Sequence, residues 1–223
     1  PDDIEILRKY AEALTSMRPI EARAISGAIA AYRHVAELDP QDKATHTRLV
    51  ELYGAVGDFK EMAAIARVRL EHYPDDLDAP LWLAGALARL GEDVEARDVL
   101  LRFIERLEPL PEKHVEYVRA CVRMSALAML EETAEENPDG ATDESARLVS
   151  AVVWLDKAVA YMPDSAEALV YRARFLRQAA QNPDVTDEQK SAWQSQTLED
   201  LAAADKAGTD EPRICLLLAT EWL

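Results

Sequence analysis

The sequence predicts an all-α protein built from consecutive antiparallel helix pairs, and three observations lead to this fold class. Apolar residues recur at i, i+3 and i+4 spacing through most of the chain, as in amphipathic helices. Short stretches rich in Gly, Pro and Asp separate these segments and read as turns. One pattern of apolar and small residues also recurs along the chain, and its clearest copy is residues 76–109.

The composition limits what the chain can bind. Its 223 residues are 49% hydrophobic, which is enough for a sizeable core. Acidic residues number 42 against 25 basic ones, giving a net charge of −17. This balance argues against nonspecific binding to nucleic acid or to an anionic membrane surface, since both depend on Lys and Arg.

The sequence does not decide the compartment. Every apolar run is shorter than the roughly 18 to 20 residues of a membrane span, and no signal peptide is recognisable, so we expect a soluble protein of the cytoplasm or periplasm. Cys121 and Cys215 lie in apolar helical patterns and are expected to be two buried thiols. Arg outnumbers Lys by 18 to 7, which hints at a GC-rich bacterial genome.

The first predicted pair occupies residues 4–40. Its first helix covers residues 4–17, and its second begins near Pro19, which suits a first helical turn. The second helix covers residues 20–38 and ends before Pro40, because the residue preceding a proline is steered away from α geometry. Its core face is predicted to carry Ala24, Ala28, Tyr32 and Val35.

The second pair, residues 43–76, contains the most recognisable turn. Gly57 supplies the freedom to reverse the chain, Asp58 can cap the next helix, and Phe59 can anchor that helix. Leu49 and Tyr53 precede this turn on the predicted core face. Three bulky residues on the faces between helices are expected to widen the local helix spacing: Val50, Met62 and Arg69.

The third pair, residues 77–110, is the cleanest. Counted from Leu77, it has Leu83, Ala84, Leu87, Gly91 and Ala96 at positions 7, 8, 11, 15 and 20. This pattern resembles the tetratricopeptide repeat (TPR), whose period is about 34 residues. Pro40 and Pro74 are 34 residues apart and match the closing proline of successive repeats.

The remaining pairs contain insertions. In residues 111–165, a first helix is expected to open at Pro111 and to extend to about Glu132, and a second to run from Thr142 or Asp143 to Tyr161. Residues 166–209 form the fifth pair, with a second helix over about 187–207 and with Arg172 where a TPR usually has Leu. Residues 211–223 resemble the first helix of a sixth repeat, either a cap or followed by more chain. The resemblance implies one right-handed TPR solenoid over residues 1–223.

No motif for catalysis is recognisable. The four histidines, His34, His46, His72 and His114, lack metal-site spacing and are expected at the surface or in a groove. Asp139, Asp143 and Glu144 lack the ligand ladder of a calcium loop. We therefore expect no enzyme activity, no metal and no cofactor.

The resemblance to TPR proteins implies a binding surface on the concave face. In that family, positions 2, 5, 9, 12 and 13 of each first helix face the ligand. The candidate groove residues in this sequence are Thr47, Glu51, Asp78, Leu81, Arg89, Arg119, Arg123, Val170, Arg174 and Arg177.

The five arginines of this set suggest what the partner is. We hypothesise a protein interaction scaffold that binds an extended peptide or partner helix, with an acidic segment held by the arginines, since guanidinium groups pair bidentately with carboxylates. The alternative for the arginines is pairing with nearby Glu side chains. Two other functions stay open: a regulatory or substrate-selecting region of a multidomain enzyme, and a self-assembling scaffold whose last helix docks onto a neighbouring copy.

Overall fold

The computed structural model describes residues 3–16, 22–130 and 143–222, and these residues are helical with no strand among them. The predicted all-α fold class is confirmed. The eleven helices of the described residues are α1 Ile4–Ser16, α2 Ala22–Leu38, α3 Lys43–Val56, α4 Phe59–His72, α5 Ala79–Leu90, α6 Asp93–Leu107, α7 Val115–Ala128, α8 Asp143–Tyr161, α9 Ala166–Ala179, α10 Asp187–Ala207 and α11 Pro212–Glu221. None of the described helices is long and apolar enough to cross a membrane.

The chain forms two compact units, Pro1–Val99 and Leu100–Leu223, and the division falls within α6. Each unit is described below by itself. The prediction of one continuous solenoid stays a prediction.

In the first unit, helices that follow each other in sequence pack against each other. Contacts join α1 with α2, α2 with α3, α3 with α4, and α4 with α5. The face predicted for α2 is confirmed, because Ala24, Ala28, Tyr32 and Val35 are all buried. Tyr32 shares a core with Leu49 of α3, which is also fully buried. Position Pro19 lies outside the described residues.

The turn between α3 and α4 has the predicted structure. Gly57 adopts φ +76°, a left-handed conformation that favours glycine, and its N–H donates to the carbonyl of Gly54 at 3.3 Å. The Asp58 carboxylate then accepts the N–H of Glu61 at 3.3 Å and caps α4. Gly91 repeats the left-handed turn between α5 and α6 with φ +77°.

Arg69 occupies a core position that a small residue usually fills. Its Nε donates to Asp76 Oδ2 at 2.7 Å, and its Nη1 donates to the carbonyl of Lys43 at 2.6 Å. The guanidinium also lies 5.5 Å from the Trp82 ring centroid. The side chains of Arg69 and Asp76 are 7% and 5% exposed. This unit therefore contains a buried ion pair at a position where the sequence pattern predicted only a bulky side chain.

In the second unit, α7 differs from the prediction at both ends. It begins at Val115, four residues after Pro111, and it ends at Ala128 with a cap at Met129, so it is not extended to Glu132. At 14 residues, α7 has the same length as α3 and α9. The later start moves the repeat register of this pair by one helical turn.

Tyr161, the last residue of α8, explains the start of α7. Its ring stacks on Tyr117 with 3.8 Å between centroids, and its hydroxyl accepts the N–H of His114 at 3.3 Å. His114 is extended (φ −114°, ψ 126°) and forms the N-cap of α7. This aromatic contact fixes where the helix begins, and it depends on a residue 47 positions away in sequence.

The other predicted helices of this unit are confirmed. α8 begins at Asp143, and the remainder of the first insertion lies outside the described residues. α10 covers Asp187–Ala207, and Thr197, Leu201 and Ala204 are buried on its inner face. α9 contacts α7, α8, α10 and α11, and this makes it the central helix of the second unit.

Two predictions about side-chain burial are wrong, one for Cys215 and one for His46. Cys121 is buried as expected, but Cys215 is exposed because it lies on the outer side of α11, and both thiols are free. His46 is 1% exposed rather than at a surface or in a groove, since it follows the N-cap of α3 into the core of the first unit. Burial, reinforced by the charge of Arg69, lowers the pKa of His46.

Candidate functional site

The candidate groove residues of the first unit have different structural roles: one forms a backbone hydrogen bond, one forms an ion pair, one is a helix N-cap residue and one makes a cation–π contact. Thr47 donates its hydroxyl to the carbonyl of Lys43, and Glu51 pairs with Arg48 on the same helix at 2.8 Å. Asp78 is the N-cap residue of α5 and is exposed. The Arg89 guanidinium lies 4.9 Å from the Phe59 ring centroid.

Two of the predicted groove residues are core residues. Leu81 is 5% exposed and Val170 is 0% exposed, so neither presents a surface to a partner. Both lie in the first turns of helices whose N-terminal ends are packed into the core, where the predicted ligand-facing position points inward. The prediction that they line a groove is corrected accordingly.

Arg119 and Arg123 share one face of α7 despite the change in register. The predicted and observed starts of α7 differ by four residues, which is close to one turn of an α-helix. The side of the helix assigned to each residue is therefore unchanged. Arg123 Nη1 donates to the carbonyl of Arg119 at 3.3 Å. Arg119 and Arg123 therefore share a face although the helix starts four residues later than predicted, and binding of a partner on that face stays a prediction.

Arg119 is neutralised within the unit. Its Nε lies 3.3 Å from Glu167 Oε2 on α9, and its Nη2 lies 3.3 Å from Glu211 Oε2 at the start of α11. Burial raises the pKa of Glu167, although the charge of Arg119 acts in the opposite direction. For Arg119, burial acts to lower the pKa of the guanidinium, but the two carboxylates outweigh it and the pKa is raised.

Arg174 and Arg177 share a carboxylate at the other end of α11. Arg177 Nη1 lies 3.0 Å from Glu221 Oε2, whereas Arg174 Nε lies 3.8 Å from Glu221 Oε1. The Arg174 side chain is 45% exposed, and at this distance its pairing is weak. The alternative that groove arginines pair with nearby Glu therefore describes Arg119 and Arg177 well and Arg174 only loosely.

Two arginines on this face have no acidic partner among the residues that the structure describes. Arg123 and Arg213 are exposed, and among the described residues neither has a carboxylate within ion-pair distance. Partial burial, followed by the charge of Arg119, lowers the pKa of Arg123. The Arg213 guanidinium lies 5.9 Å from the Tyr171 ring centroid.

The sequence prediction missed Arg213, although a signal for it was present. With Leu218 at position 7 of the partial sixth repeat, Arg213 takes position 2, which belongs to the ligand-facing set of the TPR pattern. That rule was applied only to the complete repeats. Extending it to α11 identifies the residue.

An open cavity of about 400 Å³ lies beside these arginines. α7 supplies one wall, Tyr171 and Phe175 of α9 supply the other, and Leu155 of α8 contributes to the lining. Its volume falls within the roughly 300–1,000 Å³ typical of ligand pockets. The remaining lining residues are Val122, Ser125, Ala126, Met129, Arg174 and Gln178.

The charge of this face differs from that of the whole chain. Five arginines surround the pocket and the first turns of α9 and α11, and they outnumber the acidic residues that interact with them. The arginines are Arg119, Arg123, Arg174, Arg177 and Arg213, and the acids are Glu116, Glu167, Glu211 and Glu221. We call this surface, together with its pocket, the arginine face.

No metal site is recognisable within the described ranges, where no group of three or more His, Cys, Asp or Glu side chains is arranged to hold an ion. His46 is isolated in the first unit, and its Nδ1 has no hydrogen-bond partner there. The polar chemistry of the second unit is that of ion pairs and hydrogen bonds.

Comparison with known proteins supports the fold. A scan against protein-family models and a search of curated proteins both give no match. Among solved structures, the TPR protein TTC0263 from Thermus thermophilus is 14% identical, with a TM-score of 0.58 and with 99% of each chain covered.

Two further structures agree with this result. A tetratricopeptide repeat protein from Parabacteroides merdae ATCC 43184 is 14% identical with a TM-score of 0.56, and the match covers 99% of this chain and 72% of that chain. The MamA protein is 16% identical with a TM-score of 0.60, covering 91% of this chain and 94% of that chain. The predicted TPR fold is therefore confirmed.

Proposed function

We propose that this chain, which has the TPR fold, is a protein interaction scaffold, and that it binds a peptide segment or partner helix on the arginine face. The observation that carries this proposal is the combination on one surface of an open pocket of about 400 Å³ and two arginines that have no acidic partner in the described part of the chain. Apolar pockets with a few charged groups are typical of binding sites.

The polarity of the arginine face supports an acidic partner segment. Arg123 and Arg213 are free to bind carboxylates, and Arg174 is held only weakly by Glu221 at 3.8 Å. Guanidinium groups bind carboxylates with charge-assisted hydrogen bonds, and Arg keeps its charge when partly desolvated. Binding rather than catalysis is the activity proposed.

Affinity capture with quantitative mass spectrometry tests the proposal. The wild type is compared with the double variant Arg123→Glu/Arg213→Glu and with a matched control, Arg23→Glu/Arg48→Glu. The control reverses two exposed arginines of the first unit and changes the net charge equally. We expect proteins that are captured by the wild type and the control but lost from the arginine-face variant. If both variants capture the same proteins as the wild type, the arginine face is not the binding surface.

Self-association through α11 is a second candidate, favoured by the exposure of Leu216 and Trp222. Leu216 is 67% exposed on α11, a short helix that buries only Ile214 fully, and Trp222, the C-cap residue of α11, is 51% exposed. Large exposed apolar side chains on one helix are typical of contact surfaces. Sedimentation velocity over a dilution series tests this candidate by comparing the wild type with Leu216→Glu/Trp222→Glu; a wild type that stays monomeric at all concentrations eliminates it.

A further inference from the structure

The arginine face contains a recognition site with two distinct parts. One part is the pocket between α7 and α9, and the other is Arg123, which lies beside it on α7. Resting on the proposed function, we infer that the partner is an acidic peptide segment that inserts one large apolar side chain into the pocket and places a neighbouring carboxylate on Arg123.

The pocket determines the apolar part. Its walls are formed by aliphatic side chains of α7, by Leu155 and by the rings of Tyr171 and Phe175. About 400 Å³ is enough for one aromatic or long aliphatic side chain. The pocket is open to solvent at the exposed residue Ala126, so an extended or helical backbone can pass over it without entering.

The position of Arg123 determines the acidic part. Val122, the preceding residue, and Ala126, three positions later on the same helix face, both line the pocket. A side chain inserted there brings the neighbouring residues of its own backbone close to the Arg123 guanidinium. Since Arg123 has no carboxylate partner in the described chain, binding a partner carboxylate breaks no existing ion pair.

The contacts of the neighbouring arginines explain why Arg123 is the specificity-determining one. Arg174 lines the pocket, but it lies 3.8 Å from Glu221 and so keeps a weak acidic partner. Arg119 already contacts Glu167 and Glu211, and Arg177 already contacts Glu221 at 3.0 Å. A partner carboxylate must displace these contacts to use either arginine. Arg213 is also unpaired and contributes positive potential next to Tyr171, one of the pocket residues.

Peptide display tests the inference directly. A random peptide library is selected against the wild-type protein, with the Ala126→Trp variant as a counter-selection because its indole fills the pocket mouth. Ala202→Trp, an exposed alanine of α10, is the matched control for the cost of a helical tryptophan. We expect enriched peptides with a large apolar residue close to Asp or Glu, whose affinity falls about tenfold or more in Ala126→Trp and is unchanged in Ala202→Trp. Thermal melts confirm that all variants are folded.

A charge exchange at Arg123 tests the acidic part separately. We expect replacement of the peptide's acid by its amide to weaken binding by about tenfold, as the loss of a charge-assisted hydrogen bond implies. Arg123→Glu should lose binding of the acidic peptide and regain it with a Lys in place of the acid. Pocket-dependent peptides that lack acids, or that are insensitive to Arg123→Glu, overturn the inference but leave a binding function intact. If no peptide is enriched over the counter-selection, and no protein is lost in the capture experiment, both proposals are wrong.

Discussion

The ion pair between Arg172 and Asp200 provides the sharpest test of how the second unit is stabilised. Arg172 Nε and Nη2 donate to the two oxygens of Asp200 at 2.8 and 2.7 Å, in a bidentate arrangement. The side chains are 12% and 3% exposed, so this pair is largely removed from water. Arg172 stands where the TPR pattern usually has Leu, and the substitution Arg172→Leu restores the common residue while leaving Asp200 without its partner.

The expected loss follows from these contacts. Two charge-assisted hydrogen bonds are worth about 1.5–3 kcal/mol each, and breaking a buried ion pair by removing one partner costs about 3–5 kcal/mol. Gln196 Nε2 still donates to Asp200 at 3.0 Å, which favours the lower end. We therefore expect Arg172→Leu to lower the free energy of unfolding by about 3 kcal/mol.

The double variant Arg172→Leu/Asp200→Leu separates pairing from packing. Exchanging both charges for apolar residues removes the uncompensated carboxylate, so we expect stability within about 1 kcal/mol of the wild type. Asp156→Ala is the control for the outer contact of Arg172, because the Asp156 side chain is 55% exposed and its pairing should contribute under about 1 kcal/mol. Urea denaturation measures each variant, and hydrogen exchange of α9 and α10 amides locates the effect.

Either of two results would refute this reasoning. The first is a single variant, Arg172→Leu, as stable as the wild type. The second is a double variant no more stable than the single one, which would mean that the loss arises from packing rather than from the carboxylate left without a partner.

Three further changes have definite expected results. Gly57→Ala places a Cβ at φ +76° and should cost about 1–2 kcal/mol in urea denaturation, because of strain and not crowding. Burial and the charge of Arg69 lower the pKa of His46 below 6.5, so the stability that neutral His46 contributes is present above pH 6.5 and is lost on acidification. His46→Leu should therefore reduce the difference in the free energy of unfolding measured between pH 7.5 and pH 5. At pH 7.5, maleimide should label exposed Cys215 and spare Cys121, where burial raises the pKa to about 12, as peptide mass spectrometry will show.

Helix periodicity and turn chemistry were sufficient to predict most of the fold. α10 begins at Asp187 and ends at Ala207 as expected, because its ends are marked by the Thr186 cap and by Gly208. The turn at Gly57 was equally predictable, since only local backbone geometry is involved. These features depend on residues that are close in sequence.

The start of α7 could not be predicted in the same way. Pro111 is a reasonable first helical residue, but the stacking of Tyr117 on Tyr161 and the hydrogen bond from His114 place the start at Val115. These contacts join residues more than forty positions apart, and no local signal contains them. The exposure of Cys215 was missed for a similar reason, because an apolar pattern does not show which side of a helix finds a neighbour.

The candidate site was also predicted only in part. The sequence shows which arginines share a helix face, but it does not show which of them already have a carboxylate partner. The sequence placed Arg119 and Arg123 on one face of α7, and the structure keeps them together because the register error was one helical turn. It did not show which arginines already have partners, since Glu167, Glu211 and Glu221 come from other helices. Counting arginines overestimates the charge available to a partner.

The pairing state therefore changes which substitutions are informative. Reversing Arg119 to Glu would place a third carboxylate beside Glu167 and Glu211 and would destabilise the contacts between α7, α9 and α11. A loss of binding in such a variant would report the stability of the second unit as well as recognition. Arg123 forms no ion pair in the described residues and donates only to the carbonyl of Arg119, so its reversal breaks fewer internal contacts than reversal of Arg119. For this reason Arg123, which forms no ion pair among the described residues, is the arginine whose reversal tests the proposed function most directly.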